Sequence, residues 1–132
     1  MKRIFQLAVI LLAFVPAVCF AQHSEKKSNW AELKAFHTLM SSTFHPAEEG
    51  NLVPLKEKAE ELFNAAKAWQ KSEIPADFKA EETKAALKKL TIECGALHKA
   101  IVAHKPDEQL KSMITEAHNI FHTIVGECRK HD

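Results

Sequence analysis

Apolar residues recur at intervals of three and four along most of this chain, with charged and small polar residues between them. This spacing is typical of amphipathic α-helices, and the alternating pattern that indicates strands is weak. Proline and glycine interrupt the pattern at three turns, which read "HPAEEGN", "SEIPAD" and "HKPD". The pattern therefore predicts four helices, which cover residues 29–44 and begin near Asn51, Asp77 and Asp107.

Each predicted helix carries one apolar stripe that only the other helices can bury. Because the connections are short, consecutive helices should be antiparallel neighbours with shallow crossing angles. We therefore predict an all-α fold, an antiparallel up-down-up-down four-helix bundle. Three reactive side chains fall on the predicted stripes: His37, Cys94 and Cys128. The predicted N-terminal caps are Asn29 with Glu32 on the first helix, Asn51 on the second and Asp107 on the fourth.

The first 21 residues have the order of a secretory signal peptide. Two basic residues open it, residues 4–15 are apolar, and cleavage is predicted after Ala21. The apolar run is shorter than the roughly 20 residues that a membrane-spanning helix needs. A lipoprotein acylated at Cys19 is the disfavoured alternative, because Val18 is not a small residue. We expect a periplasmic or secreted protein.

Export would leave a mature chain that is nearly neutral. We expect it to consist of a disordered tail at residues 22–28, which includes His23, and a bundle at residues 29–132. Loss of Lys2 and Arg3 reduces the 18 basic residues to 16, against 17 acidic residues. This balance gives no reason to expect binding to nucleic acid or to a membrane surface.

The histidines of the fourth helix point to a metal ion as the partner. His118 and His122 are four residues apart, so they share one helix face, as two imidazoles that bind one metal ion do. The helical rise of about 1.5 Å per residue places His37 in the same layer of the bundle as His118. An imidazole on an apolar stripe needs a polar partner, which a metal would supply; a hydrogen bond is the alternative. Copper or zinc suits these donors. The predicted metal ligands are His37, Met40, His98, His118 and His122.

Further cysteines and histidines offer additional donors, each with a simpler interpretation. Cys94 and Cys128 differ in height along the bundle by roughly 17 Å, so we expect two buried thiols and no disulfide. His131 follows Cys128 by one turn and could form a second small site with it. His45 and His104 flank the turns at one end, where exposure to solvent is the simpler interpretation. The additional candidate metal ligands are therefore Cys94, Cys128, His131, His45 and His104.

The signal peptide, the four helices and the histidines on the last helix resemble the exported bundle proteins built like cytochrome c-prime and the soluble bundle cytochrome b. The segments "FHTLMSSTFHPAEEGN" and "AHNIFHTIVGEC" also resemble parts of exported bacterial proteins, a likeness that implies no activity. The cytochrome b resemblance implies haem b held by Met40 and His122, with His37 or His118 as substitute axial ligands. The attachment motif of c-type haem, Cys-x-x-Cys-His, is absent from the sequence.

Three functional hypotheses follow from these features. The favoured one is a periplasmic protein that binds, buffers or senses copper or zinc through a histidine cluster inside the bundle. The second is a haem b electron-transfer protein, and the third is a metal-free bundle that binds a partner or acts under stress. The sequence has no phosphate-binding loop, nucleophile elbow or Glu-x-x-His pair, so we predict no enzymatic activity. A homodimer is compatible with each hypothesis.

Overall fold

The computed structural model describes residues 27–131 and confirms the predicted all-α fold. Four helices follow one another along the chain, and each packs against its neighbours, with the last helix closing on the first. They are α1 (Ala31–Glu48), α2 (Val53–Lys71), α3 (Ala80–Val102) and α4 (Asp107–His122), and a π-helical turn at Thr123–Glu127 extends α4. The predicted signal peptide, its cleavage site and His23 lie outside the described residues.

Aromatic side chains fill the core near the end of the bundle where α2 leads into α3. Trp69 is fully buried and contacts Trp30, Phe36 and Phe121, with ring centroids 5.5, 5.3 and 6.0 Å away. The rest of the core is mostly aliphatic, with leucines from α2, α3 and α4. The apolar stripes of the four helices therefore meet in one continuous core, as their spacing requires.

The first helix is longer than predicted because the chain continues through Pro46 without leaving the helix. Ala47, which follows the proline, is fully buried, so the extra turn adds to the core. Gly50 then ends this region with φ +90°, a left-handed conformation that glycine adopts without steric cost. The predicted end at Phe44 is therefore wrong by one turn.

The predicted side-chain caps are mostly absent. The N-caps of α1 and α4 are Trp30 and Pro106, neither of which forms a side-chain cap bond, and α3 begins after Lys79. At α2 the Asn51 Oδ1 atom accepts a hydrogen bond from the Val53 N–H at 3.2 Å, although Leu52 occupies the cap position. The cap positions of α1 and α2 are instead taken by the buried side chains of Trp30 and Leu52, whereas the cap residues Lys79 and Pro106 are exposed.

The two ends of the described chain meet on the α2–α3 loop. The Asp77 carboxylate accepts hydrogen bonds from the Ser28 N–H at 3.2 Å and from the Arg129 guanidinium at 3.0 Å. The guanidinium also lies over the Phe78 ring, 4.5 Å from its centroid, and Phe78 forms an isolated antiparallel bridge with Arg129. Asp77 thus ties both ends of the bundle sequence to one loop.

None of the helices within residues 27–131 combines the length and the apolar character needed to cross a bilayer.

Candidate metal centre

The two histidines of α4 form the closest pair of imidazoles in the described structure. The Nε2 atoms of His118 and His122 are 3.1 Å apart, and the rings meet edge to face with centroids 4.4 Å apart. One ring donates its Nε2–H to the lone pair of the other, so both Nε2 atoms face the same small space. His122 is exposed and His118 is half-buried, so this space is open to solvent.

A phenylalanine of α1 holds one ring of this pair in place. The His118 imidazole stacks on the Phe44 ring with a centroid distance of 3.7 Å and an angle of 12° between the planes. Because Phe44 is itself buried, it forms a fixed wall against which His118 has little freedom to turn. Stacking therefore prepares His118 to present Nε2 outward before any ligand binds.

The surroundings of His118 favour its neutral form, which is the form that binds metal. Burial lowers the pKa of His118 below 6.5, and the neighbouring His122 and His45 lower it further, while Glu48 acts in the opposite direction. A metal ion therefore competes with fewer protons at His118 than at a free imidazole.

Two more histidines lie on the part of α1 that faces α4. The His45 Nδ1 atom pairs with a Glu48 carboxylate oxygen at 3.3 Å, and the His45 ring lies against Phe44. Further along α1, His37 stacks flat on Phe121, with centroids 5.3 Å apart and planes 6° apart. We call this surface the α1–α4 face; it comprises His37, Ser41, His45, Thr115, His118 and His122, which the helical spacing places on adjoining sides of the two helices.

The predicted position of His37 in the core is wrong. The apolar stripe of α1 runs through Phe36, Met40, Thr43, Phe44 and Ala47, which turns His37 out to solvent. Burying the larger and wholly apolar Phe36 ring gains more than burying an imidazole, which would need polar partners inside. The histidine cluster consequently lies on the surface of the bundle and not inside it, and His37 does not share a core layer with Cys94.

The structure separates the remaining primary candidates from the His118–His122 pair. His98 lies in the groove between α2 and α3, where its nearest aromatic neighbour is Phe63. Met40 is 1% exposed and belongs to the core. The resemblance to the bundle cytochrome paired Met40 with His122 across a haem; Met40 lies within the core, whereas His122 is on the exposed side of α4.

The additional candidates are also dispersed. Within residues 27–131, Cys94 and Cys128 are buried free thiols, as predicted, and burial raises the pKa of Cys94 to about 12. Burial likewise raises the pKa of Cys128, and its predicted companion His131 is exposed at the end of the described chain. His104 is exposed in the turn between α3 and α4, with φ 54°, at the other end of the bundle from His131.

The spacing of the His118 and His122 nitrogens is suited to one metal ion. Two nitrogens that each lie about 2.0–2.1 Å from a zinc ion at the tetrahedral angle are about 3.3 Å apart. The observed 3.1 Å is close to this value, and small rotations of the two rings would aim both lone pairs at a shared ion. Within residues 27–131, no group of three His, Cys, Asp or Glu side chains is already arranged around one point. The pair thus presents two nitrogen atoms that are close enough together to share one ion.

Sequence reasoning found the pair but missed the side chains that surround it. The apolar spacing indicates Phe44 only as a core residue, and a first helix that ends at Phe44 leaves His45 and Glu48 without a link, whereas in the structure Phe44 stacks on His118 and His45 contacts Glu48. The three-residue spacing of His45 and Glu48 would have signalled that link, had α1 been extended past Pro46.

Comparisons of the chain with protein-family models, with curated proteins and with solved structures found no match.

Proposed function

We propose that this protein binds a divalent transition-metal ion through the Nε2 atoms of His118 and His122, and that it does so in the periplasm. The observation that carries the proposal is the 3.1 Å separation of the two Nε2 atoms on adjacent turns of α4. The stack of His118 on Phe44 supports it, because a positioned ligand loses less side-chain entropy when the metal binds.

The donor types favour zinc(II) or copper(II) over copper(I). Imidazole suits the two divalent ions, whereas copper(I) prefers thiolate and thioether sulfur. Two of the sulfur-bearing residues among the candidate ligands, Met40 and Cys94, are each 1% exposed in the core. A soft ion at the His118–His122 pair would therefore lack soft ligands.

A site with two protein ligands favours reversible binding of the metal ion over its permanent retention as a structural ion. Structural zinc sites use four protein ligands, and catalytic sites use three. A two-histidine chelate leaves the other positions to water or to incoming groups, so exchange with other ligands is easy. The signal-peptide pattern supports a role in metal buffering or sensing outside the cytoplasm.

Loss of either histidine should weaken binding strongly. We expect His118→Ala and His122→Ala each to reduce the affinity for zinc(II) and copper(II) at least tenfold, because one imidazole cannot chelate. Affinity would be measured by competition with a coloured chelator, using tag-free protein purified without chelator.

The matched control is His98→Ala, which removes a half-buried histidine from the α2–α3 groove and should leave affinity unchanged. The proposal fails if the parent protein binds neither ion, or if His118→Ala binds as tightly as the parent. Far-ultraviolet circular dichroism of each variant separates loss of a ligand from loss of the fold.

A further inference from the structure

The α1–α4 face is the part of the bundle surface with the least formal charge. No Asp, Glu, Lys or Arg occurs from residue 35 to residue 47 on α1, or from residue 117 to residue 126 at the end of α4. This is unusual in a chain in which 27% of residues are charged. Depletion of charged residues is characteristic of the centre of protein–protein interfaces, where charges would have to lose their water.

The charges that border this face are already paired or lie at its end. The Lys111 ammonium donates a hydrogen bond to the Glu48 carbonyl oxygen at 3.1 Å, and the Glu48 carboxylate pairs with His45. By contrast, the apolar patch around Ile92 on α3 lies among lysines, including Lys88, Lys89 and Lys99. A second copy could approach the α1–α4 face without bringing like charges together.

We infer that a second copy of this chain docks on the α1–α4 face and that the two copies share one metal ion between their His118–His122 pairs. This inference rests on the proposed metal-binding function. A two-fold axis through the ion would bring two pairs together, and a two-fold interface uses the same surface on both subunits. Four imidazole nitrogens would then complete the tetrahedral shell that zinc(II) takes in structural sites.

The two-donor geometry is the reason that a second copy is needed. Each chain offers two preformed donors, and no third His, Cys, Asp or Glu among residues 27–131 is in place to join them. His45 is engaged with Glu48. His37 is held flat against Phe121. The His118–His122 pairs of two copies are each spaced for one ion, so only small rotations of their rings are needed for both pairs to bind the same ion.

The test is the mass and the stoichiometry of the protein as zinc(II) is added. By sedimentation velocity, we expect a monomer without metal and a dimer that is complete at half an equivalent of zinc per chain. Excess chelator should return the monomer. One ion per monomeric chain, or binding of copper(II) without zinc(II), would overturn this inference and leave the proposed function standing, whereas failure to bind either ion would overturn both. A dimer of the same strength with and without zinc would also overturn the shared site.

A charged substitution beside the pair separates docking from ligation. Thr115 lies three residues before His118 on the same helix face, so Thr115→Lys would place two like charges against each other across the two-fold axis. We expect it to weaken the zinc-bound dimer at least tenfold while the monomer still binds zinc. The matched control, Ile92→Lys, alters a 63%-exposed residue on α3 and should leave the dimer unchanged. Equal dimerisation of the two variants would overturn docking on the α1–α4 face.

Discussion

Replacement of Trp69 by alanine is expected to lower the free energy of unfolding by about 3–5 kcal/mol, the range found when a fully buried large aromatic is truncated. Trp69 is 0% exposed and contacts rings from α1 and α4, so its loss would leave a cavity shared by three helices. Urea denaturation followed by circular dichroism would measure the loss, and the midpoint should fall with little change in slope.

The matched control for this prediction is Trp69→Phe. The Trp69 Nε1–H group is buried with no hydrogen-bond partner among residues 27–131, so phenylalanine removes a group whose burial is costly while it retains much of the ring contact. We expect Trp69→Phe to cost at most about half as much as Trp69→Ala. Equal losses for the two variants would show that a phenyl ring does not preserve the packing, and a loss below about 1 kcal/mol for alanine would show that this ring does not hold the helices together.

The same aromatic layer supports the candidate metal centre from below. Phe121 contacts Trp69 on its inner side, and on its outer side it contacts His37 and the ring of His122, whose centroid is 5.6 Å away. The exposed histidines therefore rest on rings that are anchored in the core. This arrangement explains how a surface pair can have a defined geometry without a shell of hydrogen-bonded side chains around it.

The fold could be predicted from the sequence because four apolar stripes with short connections admit few arrangements. The His118–His122 pair could be predicted for a similar reason, since a spacing of four residues on one helix fixes two side chains relative to each other. Both features depend on local periodicity, and neither depends on how the helices are rotated against one another.

The position of His37 could not be predicted in the same way, because it depends on the rotation of α1 about its own axis. Phe36 and His37 both fit a helical spacing of three or four residues to Met40. Packing of Phe36 against Trp69 and Phe121 decides which of the two is buried. The buried stripe keeps Met40 and Phe44 but passes through Phe36, which leaves His37 on the surface. The separation of His98 from the His118–His122 pair likewise depends on the rotation of α3 about its own axis, which the periodicity of the sequence does not determine.

Replacement of Asp77 should have the second-largest effect on the free energy of unfolding. We expect Asp77→Ala to lower the free energy of unfolding by about 2 kcal/mol, because it removes a charged acceptor from the Ser28 N–H and from Arg129. The Asp77 and Arg129 side chains are only 15% and 23% exposed, so the guanidinium left behind would be poorly hydrated. The control is Asp107→Ala, whose ion pair with Lys56 is exposed and should contribute at most about 1 kcal/mol.

The contribution of Asp77 should also depend on pH in a definite direction. Burial alone would raise the pKa of Asp77, but hydrogen bonds from Ser28 and the charge of Arg129 outweigh it and hold the pKa below 3.8. Because the folded chain then binds this proton less readily than the unfolded chain, the contribution is complete above the unfolded pKa and is lost as the pH falls through the folded one. The difference in unfolding free energy between the parent and Asp77→Ala should therefore be constant from pH 7 to about pH 5 and shrink below about pH 4. A difference that stays the same down to pH 2 would mean that Asp77 acts by packing and not by its charge.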